Sequence, residues 1–178
     1  GADWPLYAEV AMNTMETFRA DAPLVLILGL GESGVAAARW SARQGARLRV
    51  ADTRAEPGGL PALRDALAQA EVEYRLGCDT SFDVSLLDDV NQVVISPGLA
   101  PTGAPAEDLL REAKARGIEV IGEMELFARA LAELAESREY RPRVLAVTGT
   151  NGKTTVTALT RDLVPVSYTH LTLPTILL

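Results

Sequence analysis

Leu24-Val25-Leu26-Ile27-Leu28 is wholly apolar and runs straight into Gly29-Leu30-Gly31-Glu32-Ser33-Gly34. A run this short, with no polar alternation, suits a strand covered on both faces, as in a parallel sheet. The glycines behind it permit a tight turn and close backbone approach. From Ser33 to Gln44 the chain has a helical pattern, stopped by Gly45. Strand, glycine loop and helix in that order predict a βαβ unit and a nucleotide phosphate site at the helix N-terminus.

The alternation continues down the chain. Arg47 to Ala51 reads as a strand, Leu60 to Ala70 as a helix and Val72 to Leu76 as extended. Val93-Val94-Ile95 is a further buried strand. Glu107 to Arg116, closed by Gly117, is an amphipathic helix, followed by a strand at Ile118 to Ile121 and a longer helix at Glu123 to Glu136. Strands alternating with helices mean parallel pairing, so the fold class is α/β with a Rossmann-like sheet. The charged stretch Glu136 to Pro142 reads as a linker. Val144-Leu145-Ala146-Val147 then predicts a new strand that opens a P-loop ATPase domain.

Composition narrows the function. A formal net charge of −7 argues against a surface that tracks nucleic-acid phosphates. The sequence has a single cysteine, Cys78, so an internal disulfide is not possible, which fits a reducing cytoplasm. No apolar stretch approaches the roughly 20 residues that cross a bilayer, so no membrane role is expected.

The first glycine loop is followed at the end of the second strand by Asp52, about where ribose recognition sits in dinucleotide folds. Thr53 and Arg54 adjoin it. A carboxylate, a hydroxyl and a guanidinium at an exposed strand end can serve a ribose diol, or a uracil N3–H with a diphosphate. On this loop alone NAD and a UDP-linked compound stand level.

A second loop separates them. Gly149-Thr150-Asn151-Gly152-Lys153-Thr154-Thr155 has the chemistry of a mononucleotide phosphate site, with backbone N–H groups around the phosphates, Lys153 toward the β/γ oxygens and the Thr154 hydroxyl placed for Mg²⁺. Thr155 can cap or touch phosphate as well. The spacing is shortened, since Val147 stands where the usual motif has its first glycine. An NAD-dependent oxidoreductase has no need of this second, ATP-type loop. A stand-alone nucleotide-binding regulatory module is the remaining alternative.

The shortened loop resembles that shared by the Mur ligases and the folylpolyglutamate synthetases. A βαβ domain of over a hundred residues precedes it here, an order that resembles the Mur ligases. Gly29 to Gly34, Asp52-Thr53-Arg54, Ser96-Pro97-Gly98 and Gly122-Glu123-Met124-Glu125-Leu126-Phe127 together are similar to the D-glutamate-adding members. That resemblance covers roughly Leu24 to Leu163.

It implies that the first domain holds the UDP part of a UDP-N-acetylmuramoyl-L-alanine substrate, with Gly29, Leu30, Gly31, Glu32 and Ser33 along the diphosphate. Asp52, Thr53 and Arg54 would define the uracil end, and Ser96 and Gly98 the approach of the sugar-phosphate. It also implies an ATP- and Mg²⁺-dependent amide ligase, acting through an acyl phosphate attacked by the D-glutamate amine. Lys153 and Mg²⁺ would neutralise the transferring phosphoryl group, with no side-chain nucleophile. A cytoplasmic monomer is expected. For Glu123 and Glu125 the helix macrodipole is the favoured reading.

The domain expectation is therefore an N-terminal extension at 1–22, the UDP-binding domain at 23–138, a linker and the start of the ATP-binding domain at 139–165, and a non-native tail at 166–178. Two readings of the N-terminal extension stand level: a natural start at Met12 or Met15 with upstream read-through before it, and a short N-terminal helix. Val166 to Thr175 departs from the family pattern and coincides with one reading frame of a transposon adapter used in sequencing libraries. His170 lies in that tail and is assigned no chemistry. The truncated ATP-binding domain leads to the expectation that this chain alone is inactive.

Overall fold

The computed structural model describes residues 22–167 apart from Asp79 and Pro101. The expectations for 1–21 and for 168–178, His170 included, fall outside the described residues.

A five-stranded sheet forms the core, in the order β3-β2-β1-β4-β5, with β1 (Leu24–Leu28), β2 (Arg47–Asp52), β3 (Val72–Leu76), β4 (Val90–Ile95) and β5 (Glu119–Gly122). Every pairing is parallel. The helices are α1 (Glu32–Arg43), α2 (Leu60–Ala66), α3 (Glu107–Ala115), α4 (Glu123–Arg138) and α5 (Lys153–Ser167).

Side-chain alternation along β1 builds two cores. Leu24, Leu26 and Leu28 pack on one face with Leu86, Leu87 and Leu109, while Val25 and Ile27 pack on the other with Ala37, Ala38 and Leu63. Covering both faces is what allows β1 to be apolar at every position. The chain walks from β1 to β3 in one direction and then crosses back to β4, so strand order reverses between β1 and β4. Open α/β sheets bind ligands outside the strand ends at such a reversal.

The α/β parallel sheet is as expected, with shifts at element ends. The second helix stops at Ala66 instead of Ala70. The fourth runs to Arg138, where Glu139 turns left-handed (φ 54°), so the linker starts later than Glu136. The 3₁₀ turn Val84–Leu87 and the start of β4 at Val90 carry too little periodicity to be read in advance. One element is absent. Val144 to Val147 forms no strand, and Val144 and Leu145 are 59% and 71% exposed. An apolar run becomes a strand only with a neighbour to complete its hydrogen bonds.

Candidate functional site

At the β1/β4 reversal lies a cleft of about 350 Å³ lined by Gly29, Gly31, Asp52, Thr53, Arg54, Phe82, Ser96, Gly98 and Leu99. The strand ends are tied together beneath it. Gly29 N–H donates to the Ala51 carbonyl at 2.8 Å and Ser96 N–H to the Leu28 carbonyl at 2.9 Å. Ser96 to Leu99 closes as a turn, Leu99 N–H donating to the Ser96 carbonyl at 3.0 Å.

The loop's glycines divide by cause. At Gly34 an added Cβ would lie 2.0 Å from the Gly29 carbonyl oxygen, so internal packing alone demands glycine there. Gly31 and Gly98 are different. A Cβ at either meets nothing within 4 Å, and neither has a positive φ. Both line the cleft, and the space beside them fits a ligand that approaches the backbone closely.

Gly31 is the N-cap of α1, with no side-chain cap, and Glu32 in the first turn is exposed. The first N–H groups of α1 therefore meet no capping oxygen from a side chain, which suits an anion at the helix end. Leu30 is not an open contact. Its side chain is fully buried and its N–H donates to Asp52.

Asp52 departs from its expected exposed position. Only 2% of it is accessible, and its carboxylate accepts from Leu30 N–H, Arg54 N–H and the Arg54 guanidinium. Burial alone would raise this carboxyl, but the hydrogen bonds from Arg54 and Leu30 outweigh it and leave it below its ordinary value. The pairing in turn pushes the Arg54 guanidinium up.

Phe82 and Leu99 were not anticipated. They give the cleft apolar walls but follow irregular segments, where no periodic signal marks them. Glu125 is paired with Arg129, in keeping with a surface role. Glu123 begins α4, as the macrodipole reading requires, yet its Oε2 is buried without a hydrogen-bond partner.

The phosphate-loop residues are brought together separately. Gly149 and Gly152 have φ of 152° and 75°, and α5 starts at Lys153. Lys153 Nζ donates to the Gly149 carbonyl at 2.6 Å, folding the ammonium over its own loop. Thr150, Asn151, Thr154 and Thr155 are exposed. A glycine loop with a lysine over it and a helix N-terminus behind it fits a nucleotide phosphate chain. For Mg²⁺ only Thr154 is offered, and no cluster of three or more metal-ligating residues occurs among the described residues. A hydroxyl with phosphate oxygens and water is an ordinary Mg²⁺ environment.

Residues 23–122, which include the whole sheet and every residue lining the cleft, match the family described as Mur ligase MurD-like, N-terminal domain. The chain belongs to the MurD-like Mur ligases. It is 72% identical over 153 residues to the UDP-N-acetylmuramoylalanine--D-glutamate ligase of Bordetella parapertussis, covering 86% of this chain and 30% of that protein. Proteins of the same name from Ralstonia nicotianae and Paraburkholderia phymatum are 57% and 53% identical, over 80% and 78% of this chain and 28% and 26% of theirs. The chain thus spans about a third or less of the length of these MurD-like relatives. Among the described residues no helix is long and apolar enough to cross a membrane.

Proposed function

We propose that the sheet domain binds the UDP end of UDP-N-acetylmuramoyl-L-alanine, and that the chain is part of a ligase joining D-glutamate to it in peptidoglycan synthesis. One observation carries the binding reading. Gly31 and Gly98 leave open space on the cleft wall that neither packing nor φ explains. The relatives' names supply the identity of the nucleotide and the amino acid.

In this reading Gly29, Gly31 and Gly98 let the diphosphate and sugar approach the backbone, with the Ser33 and Ser96 hydroxyls alongside. Thr53 and Arg54 meet the base end. ATP, consumed as a substrate with Mg²⁺, supplies the phosphoryl group that activates the carboxylate. Gly149 to Thr155 would hold its phosphates, Lys153 balancing their charge and Thr154 contributing to the Mg²⁺ shell. The protein works as a monomer in the cytoplasm, without nucleic-acid or membrane partners.

An NAD-dependent oxidoreductase is the competing use of the first loop. It needs Asp52 to accept from a ribose diol, and that carboxylate is already engaged by Leu30 and Arg54. A regulatory nucleotide-binding module would share the UDP affinity but not the ligase role. Calorimetric titration of the 178-residue chain with UDP, UDP-N-acetylmuramoyl-L-alanine and NAD tests the binding reading. Tighter binding of NAD than of either UDP compound would remove it.

A further inference from the structure

Strands β1, β2, β4 and β5 are joined to their neighbours through helices α1, α2 and α3, but β3 reaches β4 through only the 3₁₀ turn Val84–Leu87. On the sheet face under that turn β1 presents Leu24, Leu26 and Leu28, whereas β2 and β3 present Arg49, Glu73 and Arg75. A cleft of about 410 Å³ opens there, with Arg49, Arg75, Cys78, Ser81, Asp83 and Ser85 in its lining. It shares no lining residue with the cleft at the β1/β4 reversal. Glu73 Oε1 accepts from Arg75 Nε at 2.8 Å and from its Nη2, and Oε2 accepts from Arg49 Nε at 2.6 Å. Burial would raise the Glu73 carboxyl, but the bonds from Arg49 and Arg75 outweigh it and hold it below its ordinary value. One ionised carboxylate thus joins two guanidiniums, and a positive charge is left over.

Arg49 is the fixed member of the pair. Its side chain is 12% exposed, and Nη1 donates to the Leu86 carbonyl at 2.7 Å and the Asp88 carbonyl at 2.8 Å. Among the described residues neither Arg49 Nη2 nor Arg75 Nη1 has an acceptor. Donors on a guanidinium so far withdrawn from water are costly until an acceptor reaches them. The geometry points to a second ligand site, in which Arg49 and Arg75 hold the oxyanion of a small phosphate monoester or carboxylate, with the Ser81 and Ser85 hydroxyls beside it. Guanidinium forks match such oxygens in pairs, and Arg49 is already held in place before a ligand arrives. Asp83 is the opposing charge. It is exposed, its Oδ1 caps the 3₁₀ turn by accepting from Ser85 N–H, and it limits how much negative charge the cleft takes. Neither arginine belongs to the nucleotide reading of the other cleft, so the two sites stand or fall separately.

Cys78 lines this cleft and is the only cysteine of the chain, so its alkylation reads occupancy there and not at the other loops. The full 178-residue chain is treated with N-ethylmaleimide in inorganic phosphate, in acetate, or in sodium chloride of the same ionic strength, and labelling is followed by mass spectrometry. Phosphate or acetate should slow labelling where chloride does not, and the more protective of the two identifies the oxyanion class. Arg75→Gln, at an exposed side chain, should raise the half-protecting concentration about tenfold, as loss of a charge-assisted pair requires. Arg49→Gln should do the same, and if it does not fold, Arg75→Gln carries the test. Asp83→Asn keeps a residue able to cap the turn and should lower the half-protecting concentration about threefold. Should Cys78 prove unreactive, the amide chemical shifts of Ser81 and Ser85 are titrated with the same salts and variants. Equal effects of all three salts would overturn the inference, as would protection that survives Arg75→Gln unchanged or weakens in Asp83→Asn.

Discussion

Leu30 N–H donates a 2.7 Å hydrogen bond to Asp52 Oδ2, tying the first glycine loop to the end of β2 across 22 positions of sequence. Because the carboxylate is buried and ionised, that tie is sensitive to acid. Hydrogen bonds from Arg54 and Leu30 overcome the effect of burial and hold the Asp52 carboxyl below its ordinary value of 3.8. A carboxyl whose folded value is depressed adds stability above the unfolded value and loses it as pH falls through the folded one. Melting temperature should therefore drop as pH is lowered from about 4, and Asp52→Asn should flatten that drop while lowering Tm at neutral pH. Thermal melts of both proteins from pH 7 down to pH 2 check this. Parallel pH profiles would take Asp52 out of the acid response.

Gly34→Ala should damage the loop more than its size suggests. The new methyl would sit 2.0 Å from the Gly29 carbonyl oxygen and 3.0 Å from its carbon, both backbone atoms that cannot swing aside. Forcing such a contact costs about 1–3 kcal/mol or more. Gly31→Ala meets nothing within 4 Å and should leave Tm within a degree or two, yet weaken UDP, because the methyl enters the space assigned to ligand. Paired melts and titrations separate the effects. A Gly31→Ala protein with undiminished UDP affinity would detach that glycine from binding.

The two cores should each carry part of the stability. Leu63 packs on the face with Val25 and Ile27, Leu109 on the face with Leu26 and Leu28, and both are fully buried. Truncating either to alanine should cost about 2–5 kcal/mol. The cores lie on opposite sides of the sheet, so the two losses should add within about half a kcal/mol. Chemical denaturation of both single variants and the pair measures this, and strong coupling between them would contradict separate cores.

What could be read from the sequence followed how local the cause was. Leu24 to Leu28 needed only its own composition to declare a strand covered on both faces, and Gly45 and Gly117 marked helix ends by their own conformational freedom. The cleft residues Gly29, Gly31, Thr53, Ser96 and Gly98 were legible because glycine, hydroxyl and strand-end position belong to single short motifs. Asp52 was placed at the right strand end with the wrong exposure. Its burial depends on Leu30 and Arg54 folding over it, a relation between segments that no window of sequence contains. Phe82 reached the cleft by the same kind of long-range packing. Val144 to Val147 failed in the opposite sense, since its local pattern was strand-like but no strand among the described residues pairs with it.

Val144 and Leu145 are exposed, and along α5 Val156, Leu159 and Leu163 are exposed at helical spacing. Nothing among the described residues pairs with the backbone of Val144 to Val147, so the phosphate loop has no strand holding its N–H groups convergent. A phosphate site depends on that convergence. The 178-residue chain should therefore bind UDP while binding ATP weakly, and should release no phosphate when given D-glutamate and ATP. Limited proteolysis should cut first between residues 139 and 150, where backbone hydrogen bonding is sparse, and leave the sheet domain intact. Mass spectrometry of the fragments, with and without UDP, reads both the site and its protection. D-glutamate-dependent phosphate release that disappears in Lys153→Ala would show that the loop works without its strand.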